Sequence, residues 1–306
     1  MKSLTKNTIQ TCCESNLVKL TDEQLRQFVF KSKQILRSPA AKIIFRGESN
    51  SNIRKQYKIA SEQVQPLDIA KFLFLIGEKG KHFWNGIPLP FEIMDTGQEP
   101  AQYIWDNISC ILKENNISKP LFSEETSDKF IKEIEKLDDN KKKELLFDYY
   151  YSYIHTYRSK NSHYLSTSES IHTALSFLGK KPGIIIIGWV PESNYNKMVI
   201  KYEDTCEYRE DICSWGFPIF DTLYPKQKEI CLKCGILPHF IIGFYIPTTN
   251  SFIVNPNLFK DERNINDIIT EGFNVDQSEF LTELKNTGYN KCYWYYKGIY
   301  TPIPNE

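Results

Sequence analysis

Three short stretches of the chain carry side chains that can do chemistry together. Phe45-Arg46-Gly47 closes a β-like run that starts at Lys42. Tyr164-Leu165-Ser166-Thr167-Ser168 runs as a strand into a helical pattern, and Tyr224-Pro225-Lys226-Gln227-Lys228-Glu229-Ile230 opens a further strand. Period-two alternation predicts that Gln227 and Glu229 share a face with Lys228 turned away, and that Ser166 and Ser168 likewise share one. A guanidinium presents a planar fork of donors suited to anionic and hydroxyl oxygens. A carboxylate held in place stabilises positive charge that grows beside it. The expectation is one cleft lined by a cationic fork, two hydroxyls and an acid.

Elements of two kinds must position these groups. Thr21 followed by Gln24 has the form of a capping box, and Leu25, Phe28, Val29, Ile35 and Leu36 then recur at helical spacing up to Pro39. From about 53 to 160 the pattern is mostly helical, with apolar stripes at Ile104, Ile108, Ile111 and Leu112, at Phe130, Ile131, Ile134 and Leu137, and from Leu145 to Tyr157. After His163 the apolar runs shorten, gain Ile, Val, Tyr and Trp, and are broken by Gly and Pro as strands are. Strands are predicted over 163–167, 183–190, 197–202, 228–233, 239–246 and 291–296, with one helix over 171–178. The fold class expected is α+β, a helical layer followed by a largely antiparallel sheet, in one domain over 1–306. Within it, 1–40 is a helical N-terminal segment, 55–160 a helical layer or insertion, and 251–306 a C-terminal extension.

Composition removes several classes of function. The chain has 306 residues, 41% hydrophobic and 25% charged, which excludes a fibrous or extensively disordered protein. Lys+Arg and Asp+Glu number 38 each, so no overall basic character argues for nucleic acid as a partner. No apolar run approaches the roughly 20 residues needed to span a bilayer, and residues 1–18 lack the apolar core of a cleaved secretory signal. A soluble protein with no membrane partner is expected, leaving its cell, if exported, by a route that needs no such signal.

Other groupings take structural readings. Cys231 and Cys234, with Cys206 and Cys213 upstream, have a loose zinc-like spacing, but a strand through Glu229 turns the later pair to opposite faces; buried free thiols and no metal are expected. Gln277-Ser278-Glu279 repeats the Gln-x-Glu spelling, but Asp276 makes it the cap of a helix. The tyrosines from Tyr149 to Tyr157 fall at helical spacing among leucines and form a core face. No histidine has partners that mark it as a base. Neither a P-loop nor the dinucleotide fingerprint of a Rossmann fold is present.

The order Arg, Ser-Thr-Ser, Gln-x-Glu resembles that of the mono-ADP-ribosyltransferases of the Arg-Ser-Glu class, a group containing bacterial toxins and secreted effectors. The resemblance spans about 41–247, including Ile236-Leu237-Pro238 and the run to Tyr245 that follows the proposed catalytic acid. It implies a split antiparallel β-sandwich around a cleft for NAD, which is substrate and not resident cofactor. It implies transfer of ADP-ribose to a side chain of a target protein, with nicotinamide released. Cleavage of the bond to nicotinamide passes through an oxocarbenium-like state; Glu229 would hold the ribose and stabilise that charge. Arg46 and Gly47 would meet the dinucleotide, Ser166 and Ser168 would fix the nicotinamide ribose and Glu229, and Thr167 would maintain the strand. Gln227 would face the acceptor, either arginine or a carboxamide of asparagine or glutamine, with Phe217 and Tyr224 on the target-recognition turn. A bacterial effector acting on a host protein in the host cytosol is the placement the resemblance implies. The same cleft with water as acceptor would make a NAD glycohydrolase, and a decayed cleft would leave an inactive binding protein.

Overall fold

In a computed structural model, residues 4–79, 165–192, 227–232 and 235–276 are described, with short strands at 199–200, 293–296 and 299–302 and single positions at 128, 129, 131, 132, 136, 278, 279 and 282. The chain divides into two compact units, one of residues 1–79, 165–199 and 230–306, the other of 80–164 and 200–229. Nearly all described residues belong to the first. In the second, the predicted apolar stripes, with Ile131 as the exception, lie outside the described residues, as do Phe217, Tyr224, Cys206 and Cys213.

The first unit opens with a hairpin, not a helix. Strand β1 (Ile9–Cys13) turns through Glu14, at φ 51°, into β2 (Asn16–Lys19). The expectation of a helical segment over 1–40 is therefore corrected for its first half. These strands are short and polar, and their pairing is decided by distant chain: β1 lies parallel to β11 (Ser251–Val254), and the buried Thr11 hydroxyl donates to the Val254 carbonyl at 3.0 Å. Helix α1 (Asp22–Arg37) is where the capping box places it. The Thr21 hydroxyl accepts from Gln24 N, Gln24 Oε1 accepts from Thr21 N, and Asp22, Glu23 and Arg37 complement the helix dipole.

Strand β3 (Ala41–Ser49) pairs antiparallel with β6 (Gly183–Pro191) along its whole length, from Ala41 opposite Pro191 to Ser49 opposite Gly183. Ile184, Ile185, Ile186, Trp189 and Val190 of β6 are all buried, which explains its unbroken apolar run: both faces of the strand are covered. Each such side chain contributes about 1.5–3 kcal/mol relative to exposure. Trp189 meets Phe240 and Phe273 edge-on, and its indole N–H donates to the Ile269 carbonyl at 2.9 Å.

After β3 come α2 (Asn50–Gln56), α3 (Pro66–Leu75) and the short β4 (Glu78–Lys79). Then follow β5 (Leu165–Ser168), α4 (Ile171–Leu178) and, beyond β6, β7 (Val199–Ile200), β8 (Glu229–Leu232), β9 (Gly235–Ile236) and β10 (Ile241–Ile246). Residues 238–240 form a 3₁₀ turn, so the strand predicted from His239 begins two residues later. Helices α5 (Asn257–Lys260) and α6 (Ile265–Glu271) and a hairpin of β12 (Tyr293–Tyr296) and β13 (Ile299–Pro302) complete the described elements. The main sheet has the order β2-β1-β11-β10-β6-β3-β5-β8-β7, and β4 pairs with β9 apart from it. The architecture is α+β with a mostly antiparallel sheet. Among the described residues, no helix is long and apolar enough to cross a membrane.

Candidate functional site

Strand β3 delivers Arg46 from its interior, not from its end: the strand continues through Gly47 and Glu48 to Ser49. Residues 46 and 48 are two apart and share a face, and the Arg46 Nη2 donates to Glu48 Oε2 at 2.5 Å. Its Nε–H donates to Glu78 Oε1, and its Nη1 donates to the Ser166 carbonyl at 2.8 Å. A single guanidinium thus ties β3 to β4 and to β5. Its side chain is 20% exposed, against 6% for Glu48 and 2% for Glu78. Burial favours loss of the Arg46 proton, but the charges of Glu78 and then Glu48 reverse this and hold its pKa above the ordinary value.

The two acids have separate supports. Glu48 Oε1 accepts from Ser49 N at 3.0 Å and from Asn52 Nδ2 at 2.7 Å, which joins the strand to the first turn of α2. Glu78 is placed by the turn before it. Gly77 has φ 73°, and a Cβ there would fall 2.1 Å from the Ile236 carbonyl oxygen, so only glycine lets β4 lie against β9. The Tyr57 hydroxyl donates to the Gly77 carbonyl at 2.8 Å, and its ring stacks on Phe72 with centroids 5.0 Å apart. Burial first, then the charges of Glu78 and Glu48, keep that phenol neutral with its pKa well above 10. Burial likewise pushes the Glu78 carboxyl up to about 8, with Arg46 pulling against it and Glu48 adding to it.

Strand β5 meets β3 at Phe45 opposite Ser168. The buried Thr167 hydroxyl donates to the Ile230 carbonyl at 2.6 Å, anchoring β8 one residue after Glu229. Helix α4 is capped by Ser170, whose hydroxyl accepts from Thr173 N, while Ser168 Oγ accepts from Ser170 N at 3.0 Å. The Ser-Thr-Ser run is therefore strand, and the cap falls beyond it.

A cleft of about 220 Å³ opens over these groups, lined among others by Phe45, Arg46, Glu48, Asn52, Ser166 and Ser168. That is below the roughly 300 Å³ where pockets for drug-sized ligands begin. Gly47, also in the lining, is accounted for by packing: a Cβ would sit 2.1 Å from the Ala174 carbonyl oxygen of α4. Lys181 and the exposed ring of Phe177 stand in the lining too, and Lys181 makes no ion pair among the described residues.

Sequence reasoning placed Arg46, Gly47, Ser166, Thr167, Ser168, Gln227 and Glu229 around one cleft; the first five line it together, and its described lining includes neither Gln227 nor Glu229. Gln227 and Glu229 differ from their predicted relation. Strand β8 starts at Glu229, Gln227 lies in a turn, and Lys228 between them has φ 47°, so the alternation that would give them one face does not reach Gln227. Glu48 and Glu78 were not anticipated. The spacing Arg46-x-Glu48 was a legible signal for the first, whereas nothing local marks Glu78, which arrives from a separate turn. Asp276 Oδ1 accepts from Glu279 N at 2.9 Å, as the cap reading of that stretch requires. Cys231 is buried. Among the described residues no cluster of His, Cys, Asp or Glu is arranged to hold a metal.

No protein-family model matches this chain, and neither curated proteins nor solved structures give a match to it.

Proposed function

We propose that the chain is a mono-ADP-ribosyltransferase that moves ADP-ribose from NAD to a side chain of a target protein and releases nicotinamide. One observation carries this reading: the first two chemically equipped stretches lie side by side on β3 and β5, joined by the bond from Arg46 to the Ser166 carbonyl, and the Thr167 hydroxyl of β5 holds the Ile230 carbonyl of β8. Residues separated by more than a hundred positions are thereby brought to one region of sheet.

In this reading Glu229 holds the nicotinamide ribose and stabilises the positive charge that develops as the glycosidic bond breaks. Ser166 and Ser168 orient the sugar. Arg46 gives one N–H from each of its nitrogens to the protein, and among the described residues a second on each terminal nitrogen is left for ligand oxygens. Its charge is balanced within the buried cluster that it forms with Glu48 and Glu78, so it contributes directed hydrogen bonds more than net attraction. Lys181 in the lining, which makes no ion pair among the described residues, supplies positive charge that a pyrophosphate favours. The finer fold assignment, a split antiparallel sandwich around the cleft, belongs to the same proposal, as does a bacterial effector's target in a host cytosol. Gln227 is assigned to the acceptor side, with Phe217 and Tyr224 on the recognition turn.

Incubation of the full chain with labelled NAD and a cell lysate tests the reading. Label on protein supports transfer, free ADP-ribose alone assigns the cleft to hydrolysis, and intact NAD under all conditions overturns both.

A further inference from the structure

Arg46 is flanked by two buried acids, and a single guanidinium compensates only one of them. Glu48 has its oxygens engaged by Arg46, Ser49 N and Asn52. Glu78 has Oε1 on Arg46, while its Oε2 is buried and meets no hydrogen-bond donor among the described residues. A buried carboxylate oxygen without a donor costs about 1–3 kcal/mol or more, and a second uncompensated negative charge beside it costs further. What the site lacks is a proton. Among the described residues the ionisable groups acting on Glu78 are Arg46 and Glu48 of β3, and Tyr57 at the end of α2 is the fourth member of the cluster; burial and Glu48 both favour the protonated form of Glu78.

We propose that Glu78 is the positioning residue of the Arg46 cleft: it carries a proton directed toward Glu48, keeps the buried cluster neutral, and fixes the guanidinium so that it reaches the Ser166 carbonyl. The role in ligand binding rests on the proposed NAD cleft; the proton itself does not. Above about pH 8 the proton leaves, and the cluster holds two carboxylates against one guanidinium beneath the surface meant for a pyrophosphate.

The sign follows from the folded state binding the proton more tightly than the unfolded chain. Stability from this group is complete below the ordinary Glu pKa of about 4.5 and is lost as pH rises to about 8. The test compares wild type with Glu78→Gln, which keeps an acceptor for Arg46 and cannot ionise. Melting is followed from about pH 5 to about pH 9. The wild-type midpoint should fall by about 4 °C or more relative to the variant over that range, and NAD affinity should fall about tenfold in wild type only. Infrared spectra of the wild type should show a protonated carboxyl band that disappears over the same interval, a readout that needs no variant to fold. Parallel melting curves, or the absence of that band at neutral pH, overturn the proposal. If neither protein binds NAD, the functional reading fails while the melting and infrared results still decide the proton.

Discussion

Arg46 Nη1 donates to the Ser166 carbonyl at 2.8 Å across 120 positions of sequence. The bond joins β3 to β5 at the place where the cleft opens, so the same guanidinium that would meet a ligand also sets the position of the serine strand. Binding and architecture are therefore inseparable at this residue.

Arg46→Ala removes the counter-charge of two buried acids and frees the Ser166 carbonyl. The expected loss is about 3–5 kcal/mol of stability, the range for breaking one side of a buried ion pair, together with loss of NAD binding. Arg46→Lys restores the charge but not the fork, because a lysine ammonium cannot span three acceptors in the same geometry. It should recover part of the stability and little of the affinity. Denaturant melts and NAD titration on both variants check this. A fully stable Arg46→Ala protein would show that the acids do not depend on it.

Gly47→Ala tests how tightly α4 presses on β3. The new methyl would fall 2.1 Å from the Ala174 carbonyl oxygen, which belongs to helix backbone and cannot simply rotate away. The helix must retreat, at about 1–3 kcal/mol for overpacking, and the cleft wall formed by Ala174 and Phe177 moves with it. Reduced denaturant midpoint and weakened NAD binding are expected together. Wild-type values of both would mean that α4 yields without cost.

Thr167→Val keeps the shape of the side chain and deletes only the hydroxyl that holds the Ile230 carbonyl at 2.6 Å. The buried carbonyl loses its donor, costing about 1–3 kcal/mol. Because Glu229 immediately precedes Ile230, turnover should fall by more than the change in NAD affinity. Steady-state kinetics separates the two, and equal effects on kcat and KM would leave Thr167 a purely structural role.

The parts of this arrangement legible in the sequence are those governed by local rules. The capping box at Thr21 and Gln24 locates α1, and the run from Gly183 to Pro191 reads as a strand because both of its faces are buried. The N-terminal hairpin was not legible: Gln10, Cys12 and Asn16 have no strong strand pattern, and β1 is fixed by parallel pairing with residues some 240 positions away. Strand β11, Ser251–Val254, was passed over as part of a C-terminal extension. In the site, Arg46 looked like a strand terminus because it is itself the charged residue at which the short run from Lys42 ends. The strand continues because Arg46 and Glu48 neutralise each other on one face. Glu78 was beyond reach, since its role depends on a glycine turn and a neighbouring strand that no spacing connects to Arg46.

The account turns on Glu229. The most direct measurement is the rate of nicotinamide release from NAD, in the presence of lysate protein, by wild type and by Glu229→Ala, with melting curves on both. The wild type should release nicotinamide, and the variant should be slower by about 10²–10³-fold, the loss expected for one preorganised electrostatic group, with an unchanged midpoint because β8 is anchored through Thr167 and Ile230. A variant that melts as the wild type does and releases nicotinamide at the same rate contradicts the assignment.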